Sequence, residues 1–367
     1  MVALTNHRAS IDKRMTPNNA FCSGVKRIAP HAPCGHVAEP LGLTPRPDRR
    51  GKKPMESITP QRFHYEQFAD INALVALKKS QRISVCIPTL NEADTIGSIV
   101  SIIRETLVRS SGFVDEILVI DSGSQDATRE IAAAAGATVH LASEILPGGE
   151  RHHGKGENLW KALHVASGEI ICYVDGDISN FHPGFITGLT GPLLTDPRID
   201  YVKAFYERPL AYGDESHSTG GGRVSEILMR PLISMFYPEL IGILQPLSGE
   251  YAARRTTLES LAFPIGYGVE IAHLIDLARD GKIDRIAQTD LVRRVHRNRD
   301  DDELGSMAFA ILRVVLRRLQ RDGKIALATP LPNLYQSWTV DGDSIHLLSK
   351  IIPEPERTAI NPLPTTG

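Results

Sequence analysis

Apolar positions along the chain fall into short dense runs that alternate with longer periodic ones. Ile83 to Ile87, Glu116 to Ile120, Ala137 to Leu141 and Ile170 to Val174 are apolar runs with β-branched members, as expected of strands covered on both faces. Between them, residues 93–108, the segment running to Ala135, and the segment from Lys155 with Leu159, Leu163 and Ala166 carry helical spacing. This order predicts a β-α-β-α-β series and therefore a mostly parallel sheet with helices on its faces. A helix is expected to lead in, over Phe63 to Lys79, on the spacing of Phe63, Phe68, Ile71, Leu74 and Leu77. Further on, the pattern predicts a helix over Phe185 to Leu194, a strand from Asp200 to Phe205, and a helical stretch from Val224. A helix over Ile271 to Leu277 and a late strand from Val292 to His296 follow. The final long helix, Glu303 to Arg321, places Met307, Ile311, Val314, Val315 and Leu319 on one side. Its Arg313, Arg317, Arg318 and Arg321 read as a solvated basic face.

The flanks lack such periodicity. Residues 1–62 hold scattered Pro, Gly, Arg, Lys and His and read as a disordered extension, and residues 326–367 as a loosely packed tail. The middle divides into an α/β part, 63–205, and a more helical part, 206–325. With 367 residues, 42% hydrophobic and 23% charged, the chain is long enough for one large α/β core. Its net charge of −2 gives no electrostatic case for nucleic acid. No apolar run approaches the roughly 18 residues of a membrane helix, and a soluble cytoplasmic protein is expected. Cys86 and Cys172 sit in expected core strands and behave as small hydrophobes. Cys22, His31, Cys34 and His36 match no zinc spacing, and four cysteines in this length are not a disulfide framework.

Candidate chemistry gathers where the strands end. In Val174-Asp175-Gly176-Asp177 the two acids point the same way if the strand geometry persists through Gly176. At ~4 Å and an effective dielectric of ~20 their repulsion is about 4 kcal/mol, which a divalent cation would turn into attraction. A solvated surface turn is the alternative. The second strand ends in Asp121-Ser122-Gly123-Ser124, where Ser124 either caps the next helix or joins a ligand site. Lys155, opening a helix, opposes the helix dipole, which suits an anion that binds both; an exposed lysine is the alternative. Thr219-Gly220-Gly221-Gly222-Arg223-Val224-Ser225-Glu226 leaves backbone N–H groups open beside a guanidinium and suits phosphate or carboxylate; the alternative is a flexible linker. Glu270, in Gly266-Tyr267-Gly268-Val269-Glu270, lies near a helix start, where a carboxylate is stabilised with or without a function.

Together, Pro88-Thr89-Leu90-Asn91-Glu92, Asp121-Ser122-Gly123-Ser124, Gly154-Lys155-Gly156-Glu157 and Val174-Asp175-Gly176-Asp177 resemble the nucleotide-sugar glycosyltransferases of GT-A fold. That fold is Rossmann-like, with a mostly parallel central sheet flanked by helices and here a helical acceptor-side C-terminal region. The Gly-Gly-Gly-Arg stretch, Leu244-Gln245-Pro246-Leu247-Ser248-Gly249-Glu250-Tyr251, Gly266-Tyr267-Gly268-Val269-Glu270 and His296-Arg297-Asn298-Arg299 narrow the resemblance to the glucosyl-3-phosphoglycerate synthase family, over residues 65–320. The resemblance implies transfer of glucose from UDP-glucose to the 2-hydroxyl of 3-phosphoglycerate, with retention, by a metal-dependent homodimer. It implies that Pro88, Thr89, Leu90, Glu92, Ser122 and Lys155 contact the uridine diphosphate, and Asp175 the ribose. Asp177 and His296 would hold Mg2+, with Mn2+ or Co2+ possible because imidazole is the softer ligand. Gly222, Arg223, Ser225 and Asn298 would receive the acceptor, Glu270 the glucose hydroxyls, and Tyr267 and Val269 would line the sugar pocket. Lys155, Asp177 and Glu270 are the expected catalytic set. The family often has Ser at Gly176 and Thr at Ser225. A mannosyl-3-phosphoglycerate synthase using GDP-mannose shares the architecture, and a catalytically silent nucleotide-binding scaffold is the alternative from another class.

Overall fold

The structure, a computed structural model, describes residues 59–361 apart from 149, 208–209, 213–214, 218–221, 296–300 and 342–343. Most of the expected N-terminal extension, with Cys22, His31, Cys34 and His36, lies outside the described residues, as do Gly220, Gly221, His296 and Asn298. The chain divides into a large unit, Ser57–Ser337 with Ser349–Gly367, and a small one, whose described residues 338–341 and 344–348 belong to two β-strands.

The elements begin with β1 (Gln61–His64), α1 (Ile71–Lys78), β2 (Ile83–Thr89), α2 (Ile96–Ile102, continued as π-helix to Arg109), β3 (Glu116–Asp121), α3 (Thr128–Ala135) and β4 (Thr138–Leu141). Next come α4 (Lys155–Val165), β5 (Ile170–Tyr173), α5 (Gly184–Thr195), β6 (Tyr201–Glu207), β7 (Leu210–Tyr212), β8 (Glu215–His217), α6 (Arg230–Phe236, after a π turn Ser225–Met229) and β9 (Tyr251–Arg254). The chain ends with α7 (Arg255–Glu259), β10 (Phe263–Pro264), α8 (Val269–Arg279), β11 (Ile286–Arg293), α9 (Asp301–Arg321), β12 (Leu334–Asp341), β13 (Ser344–Ile351) and β14 (Glu356–Arg357).

Eight strands form one sheet in the order β1-β11-β6-β9-β5-β2-β3-β4. All run parallel except β9, which is antiparallel to both β5 and β6. This is the GT-A-like sheet that the sequence pattern and the resemblance predict. Alternate residues explain why the strands read as continuous apolar runs. Val85, Ile87 and Cys172 face one buried layer, while Cys86, Ile171 and Tyr173 face the other. Cys86 and Cys172 are free, buried thiols whose pKa burial drives upward.

Several expectations change. The single helix over Phe63 to Lys79 is instead the edge strand β1, paired with β11 from Gln61↔Ala287 to His64↔Asp290, then a 3-10 turn, then α1. Asp70 sets the helix start, its Oδ1 accepting the Ala73 N–H at 3.0 Å, and Phe68 packs where a side chain at Gly191 of α5 would sit. The late strand is Ile286–Arg293, beginning before the expected Val292, because Gln288 and Thr289, polar and buried, bond to Gly242 and Gly188 carbonyls at 2.9 and 2.8 Å; the expected end, His296, lies outside the described residues. Val292 is exposed with φ 65° at a register shift. The basic face of α9 is not solvated: Arg318 is buried between Asp276 (2.9 Å) and Glu356 (2.8 Å), and Arg321 reaches Asp276 at 2.6 Å. Glu356 belongs to the stretch expected as a loose tail, where β14 pairs with β10. Strands β9 and β11, from beyond residue 205, share the sheet with β2 and β5.

Candidate active site

The chain leaves β2 for β3 and β4 on one side and comes back to β5 on the other. That reversal opens a crevice at the carboxyl ends of β2 and β5, the usual ligand position in such sheets. A cavity of about 570 Å³ lies there. The exit of β2 supplies Pro88, Thr89, Leu90 and Glu92; Ser122 follows β3, and Asp175 and Asp177 follow β5. Lys155 opens α4, Tyr267 and Glu270 stand at the start of α8, and Gly222, Arg223 and Ser225 precede α6. Strand β9 adds a segment that the parallel pattern does not predict. Because it runs the other way, Tyr251 opposes Tyr173 at the carboxyl edge, and the loop entering β9 brings Ser248, Gly249 and Glu250 to the site.

Charge is concentrated in one network. Arg294, just past β11, donates from Nη2 to Asp175 Oδ2 at 2.9 Å and to Asp177 Oδ1 at 2.7 Å, and from Nε to Glu250 Oε1 at 2.7 Å. The two aspartates do face one volume, and a guanidinium stands between them. Lys155 Nζ bridges Asp175 Oδ1 at 2.6 Å and Glu270 Oε1 at 2.9 Å. Burial alone would lower the pKa of both cations, but the surrounding carboxylates, Asp175 and Glu270 for Lys155 and Glu250 first for Arg294, outweigh it and hold them above their ordinary values. Both stay charged. On β6 Lys203 is fully buried and donates to the Ser248 carbonyl at 2.5 Å. Burial, relieved only partly by Glu270, pushes its pKa down to about 7.

The supports of the network are local. Thr95 Oγ1 donates to the Gly176 carbonyl at 2.5 Å and so holds the bend between the aspartates. A Cβ at Gly249 would overlap Asp175 Oδ2 and Lys155 Nζ, so only glycine lets the β9 loop approach. Asp121 turns its carboxylate onto the Gly123 and Ser124 amides at 2.9 and 2.8 Å and receives the Thr89 hydroxyl at 3.0 Å. Ser124 donates to the same carboxylate and accepts from the Asn91 amide, and the residue before α3 is Ala127. Ser124 is therefore not the expected helix cap. Asn158 fixes Ser122, its Nδ2 donating to Oγ at 2.8 Å.

The amino end of α4 differs from expectation as well. Its Gly156 and Glu157 amides donate to the Gly266 and Ile265 carbonyls at 3.3 and 2.9 Å, so the loop before α8, not an anion, caps this helix. Val269 is fully buried and is not among the residues lining this cavity, being the first residue of α8 turned into the core. His296 and Asn298 lie outside the described residues, yet their neighbour Val295 is tied to the aspartate loop. The Val295 amide donates to Asn180 Oδ1 at 2.8 Å, and its carbonyl accepts the Ser179 amide at 3.0 Å. Among the described residues no three His, Cys, Asp or Glu side chains form a metal cluster. Sequence reasoning missed Arg294, Glu250, Lys203 and Asn158. An arginine two positions before His296 was the one signal that could have drawn attention to the first.

The model of a protein family described as glycosyl transferase family 2 matches residues 84–245. A glucosyl-3-phosphoglycerate synthase of Petrotoga mobilis is 51% identical over 278 residues, spanning 75% of this chain and 86% of the relative. The crystal structure of glucosyl-3-phosphoglycerate synthase from Mycobacterium tuberculosis with Mn2+, UDP-glucose and phosphoglyceric acid is similar with TM-score 0.68 and 41% identity. It covers 79% of this chain and 94% of that one. Mannosyl-3-phosphoglycerate synthase from Rubrobacter xylanophilus is similar with TM-score 0.74 and 35% identity, over 82% and 95% of the two chains.

Proposed function

The chain belongs to the glucosyl-3-phosphoglycerate synthase family, and on that premise we propose that it transfers glucose from UDP-glucose to the 2-hydroxyl of 3-phosphoglycerate with retention. The observation that carries the proposal is the Lys155 ammonium held between Asp175 and Glu270 in the cavity wall. It joins the place expected for diphosphate to the place expected for hexose. Pro88, Thr89, Leu90, Glu92 and Ser122 form the uridine side, Asp175 the ribose contact, and Tyr267 and Glu270 the sugar side. Gly222, Arg223 and Ser225, on the same cavity, receive the phosphate and carboxylate of the acceptor, with Asn298 beside them. Residues 63–205 thus carry the uridine diphosphate contacts and 206–325 the hexose and acceptor contacts, although both contribute strands to one sheet.

The donor set fits a divalent cation. Two carboxylates at the cavity already share one positive group, their oxygens are the hard ligands such an ion takes, and the backbone just before His296 is tied beside Asp177. Asp177 and His296 would hold Mg2+, Mn2+ or Co2+. When bound, the ion supplies Lewis acidity toward the diphosphate oxygens. The chain's own residues do the rest. Lys155, permanently charged, offsets negative charge gathering on the departing UDP. Glu270 orients the hexose, and Arg223 sets the acceptor hydroxyl against the anomeric carbon on the face the diphosphate leaves. On that face a donor phosphate oxygen takes the acceptor proton, so no side-chain base is required. No helix among the described residues is long and apolar enough to cross a membrane, and the enzyme is read as a cytoplasmic homodimer.

The test incubates the full chain with 3-phosphoglycerate and either UDP-glucose or GDP-mannose, with and without chelator. Glucosyl-3-phosphoglycerate forming only from UDP-glucose and lost with chelator is the expected result. Turnover from GDP-mannose alone, or turnover indifferent to chelator, overturns it.

A further inference from the structure

A short strap near the C-terminus, residues 352–357, is fastened to three parts of the fold at once. Its β14 pairs with β10, Phe263↔Arg357 and Pro264↔Glu356, and the Pro355 carbonyl accepts the Ile265 amide at 3.0 Å. Arg357 grips Glu157 of α4 through two bonds of 2.8 Å. From α9, Arg313 and Arg317 donate to the Pro353 and Glu354 carbonyls at 2.7 and 2.5 Å.

In the middle of the strap Glu354 is buried. With two arginines close by, its carboxylate is nevertheless directed at a backbone amide. Oε1 accepts the Gly266 N–H at 2.9 Å. A Cβ at Gly266 would overlap both carboxylate oxygens, so the close approach requires glycine there. Burying an ionisable group is unfavourable unless it is well bonded, and this one is bonded to the loop that carries Tyr267 and leads into Glu270 of α8. The carbonyls of that same loop cap α4 directly behind Lys155. The strap therefore holds the two helix starts whose Lys155 and Glu270 meet at 2.9 Å.

We propose that this C-terminal strap positions the hexose end of the donor site, and that Glu354 is its positioning residue, acting through the Gly266 amide on Tyr267 and Glu270. The inference rests on the sugar-side assignment above, and it gives a function to a stretch that the sequence leaves as an unassigned tail. Apart from Lys155, whose helix Arg357 also holds, the uridine side is built on β2 and β3, so loss of Glu354 should weaken UDP-glucose more than UDP.

Wild type, Glu354→Gln and Glu354→Ala, each as the full chain with Mn2+, are titrated calorimetrically with UDP-glucose and with UDP. Amide hydrogen exchange over residues 265–270 is followed without ligand. In Glu354→Ala, UDP-glucose affinity should fall roughly tenfold while UDP affinity stays within about twofold, and exchange over 265–270 should accelerate. Glu354→Gln, which keeps one acceptor oxygen, should fall between, and it carries the comparison if the alanine variant does not fold. Equal losses for UDP and UDP-glucose, or unchanged affinity for both, overturn the proposal. If wild type itself fails to bind UDP-glucose, the assignment of the donor is what has failed. Exchange over 265–270 then decides alone, and unchanged protection in the variants overturns the strap's role.

Discussion

At the scale of single residues, the site depends on how many carboxylates one cation can satisfy. Arg294 reaches Asp175, Asp177 and Glu250 from a single buried guanidinium, a fork that a lysine cannot reproduce. Replacing it with alanine leaves Glu250, fully buried, without its charge partner and lets the two aspartates repel. Breaking a buried pair in this way costs about 3 to 5 kcal/mol. Arg294→Ala should therefore lower the midpoint of denaturant unfolding and reduce kcat/KM by at least about a hundredfold; Arg294→Lys should recover part of the stability and little of the activity. Gly249 sets a second limit. Because a Cβ there would overlap Asp175 and Lys155, Gly249→Ala should lower donor affinity in calorimetry while leaving far-UV circular dichroism unchanged. Neither requirement was legible from residue type, since arginine and glycine occur throughout the chain and only their contacts single these two out.

At the scale of elements, the fold brings helix starts together. The first turn of α4 takes its caps from the loop before α8, and Gly156 lies so close to the Pro264 carbonyl that a Cβ would overlap it. Overpacking at such a contact costs about 1 to 3 kcal/mol. Gly156→Ala should push α4 off the loop and part Lys155 from Glu270, with kcat/KM down about tenfold or more and a melting temperature lower by a few degrees. Steady-state kinetics and calorimetric melting check both. The sequence showed α4 and α8 by their periodicity, and it placed Lys155 and Glu270 at their starts. It could not show that one start caps the other, because Gly156 and Gly266 are far apart in the chain. Strand β11 was misplaced for a related reason: Gln288 and Thr289 look like loop residues until their partners on neighbouring elements are known.

At the scale of the whole molecule, two buried bases shape the pH dependence of stability. Burial pushes the pKa of His273 down to about 3, and neither of its ring nitrogens has a hydrogen-bond partner. Lys203 is pushed down to about 7. Each binds a proton more readily in the unfolded chain, so each contributes stability that is present at high pH and lost as pH falls. For His273 the loss runs from about 6.5 to about 3; for Lys203 it runs from about 10.4 to about 7. His273→Phe should flatten the acid window and Lys203→Met the alkaline one, read from melting temperature against pH. The strand runs, the helices between them and the acids at strand ends follow from the order of residues alone, since periodicity and turn chemistry are local properties of a chain. So the α/β class, the GT-A-like sheet and most of the cavity wall, from Pro88 to Glu270, were determined by the sequence. Tertiary structure alone decided which groups meet: the reversed β9 that delivers Glu250, the single guanidinium between Asp175 and Asp177, the inward turn of Val269 and the strap that carries Glu354. Each of these depends on distance in space between residues remote in sequence, and no local pattern encodes it.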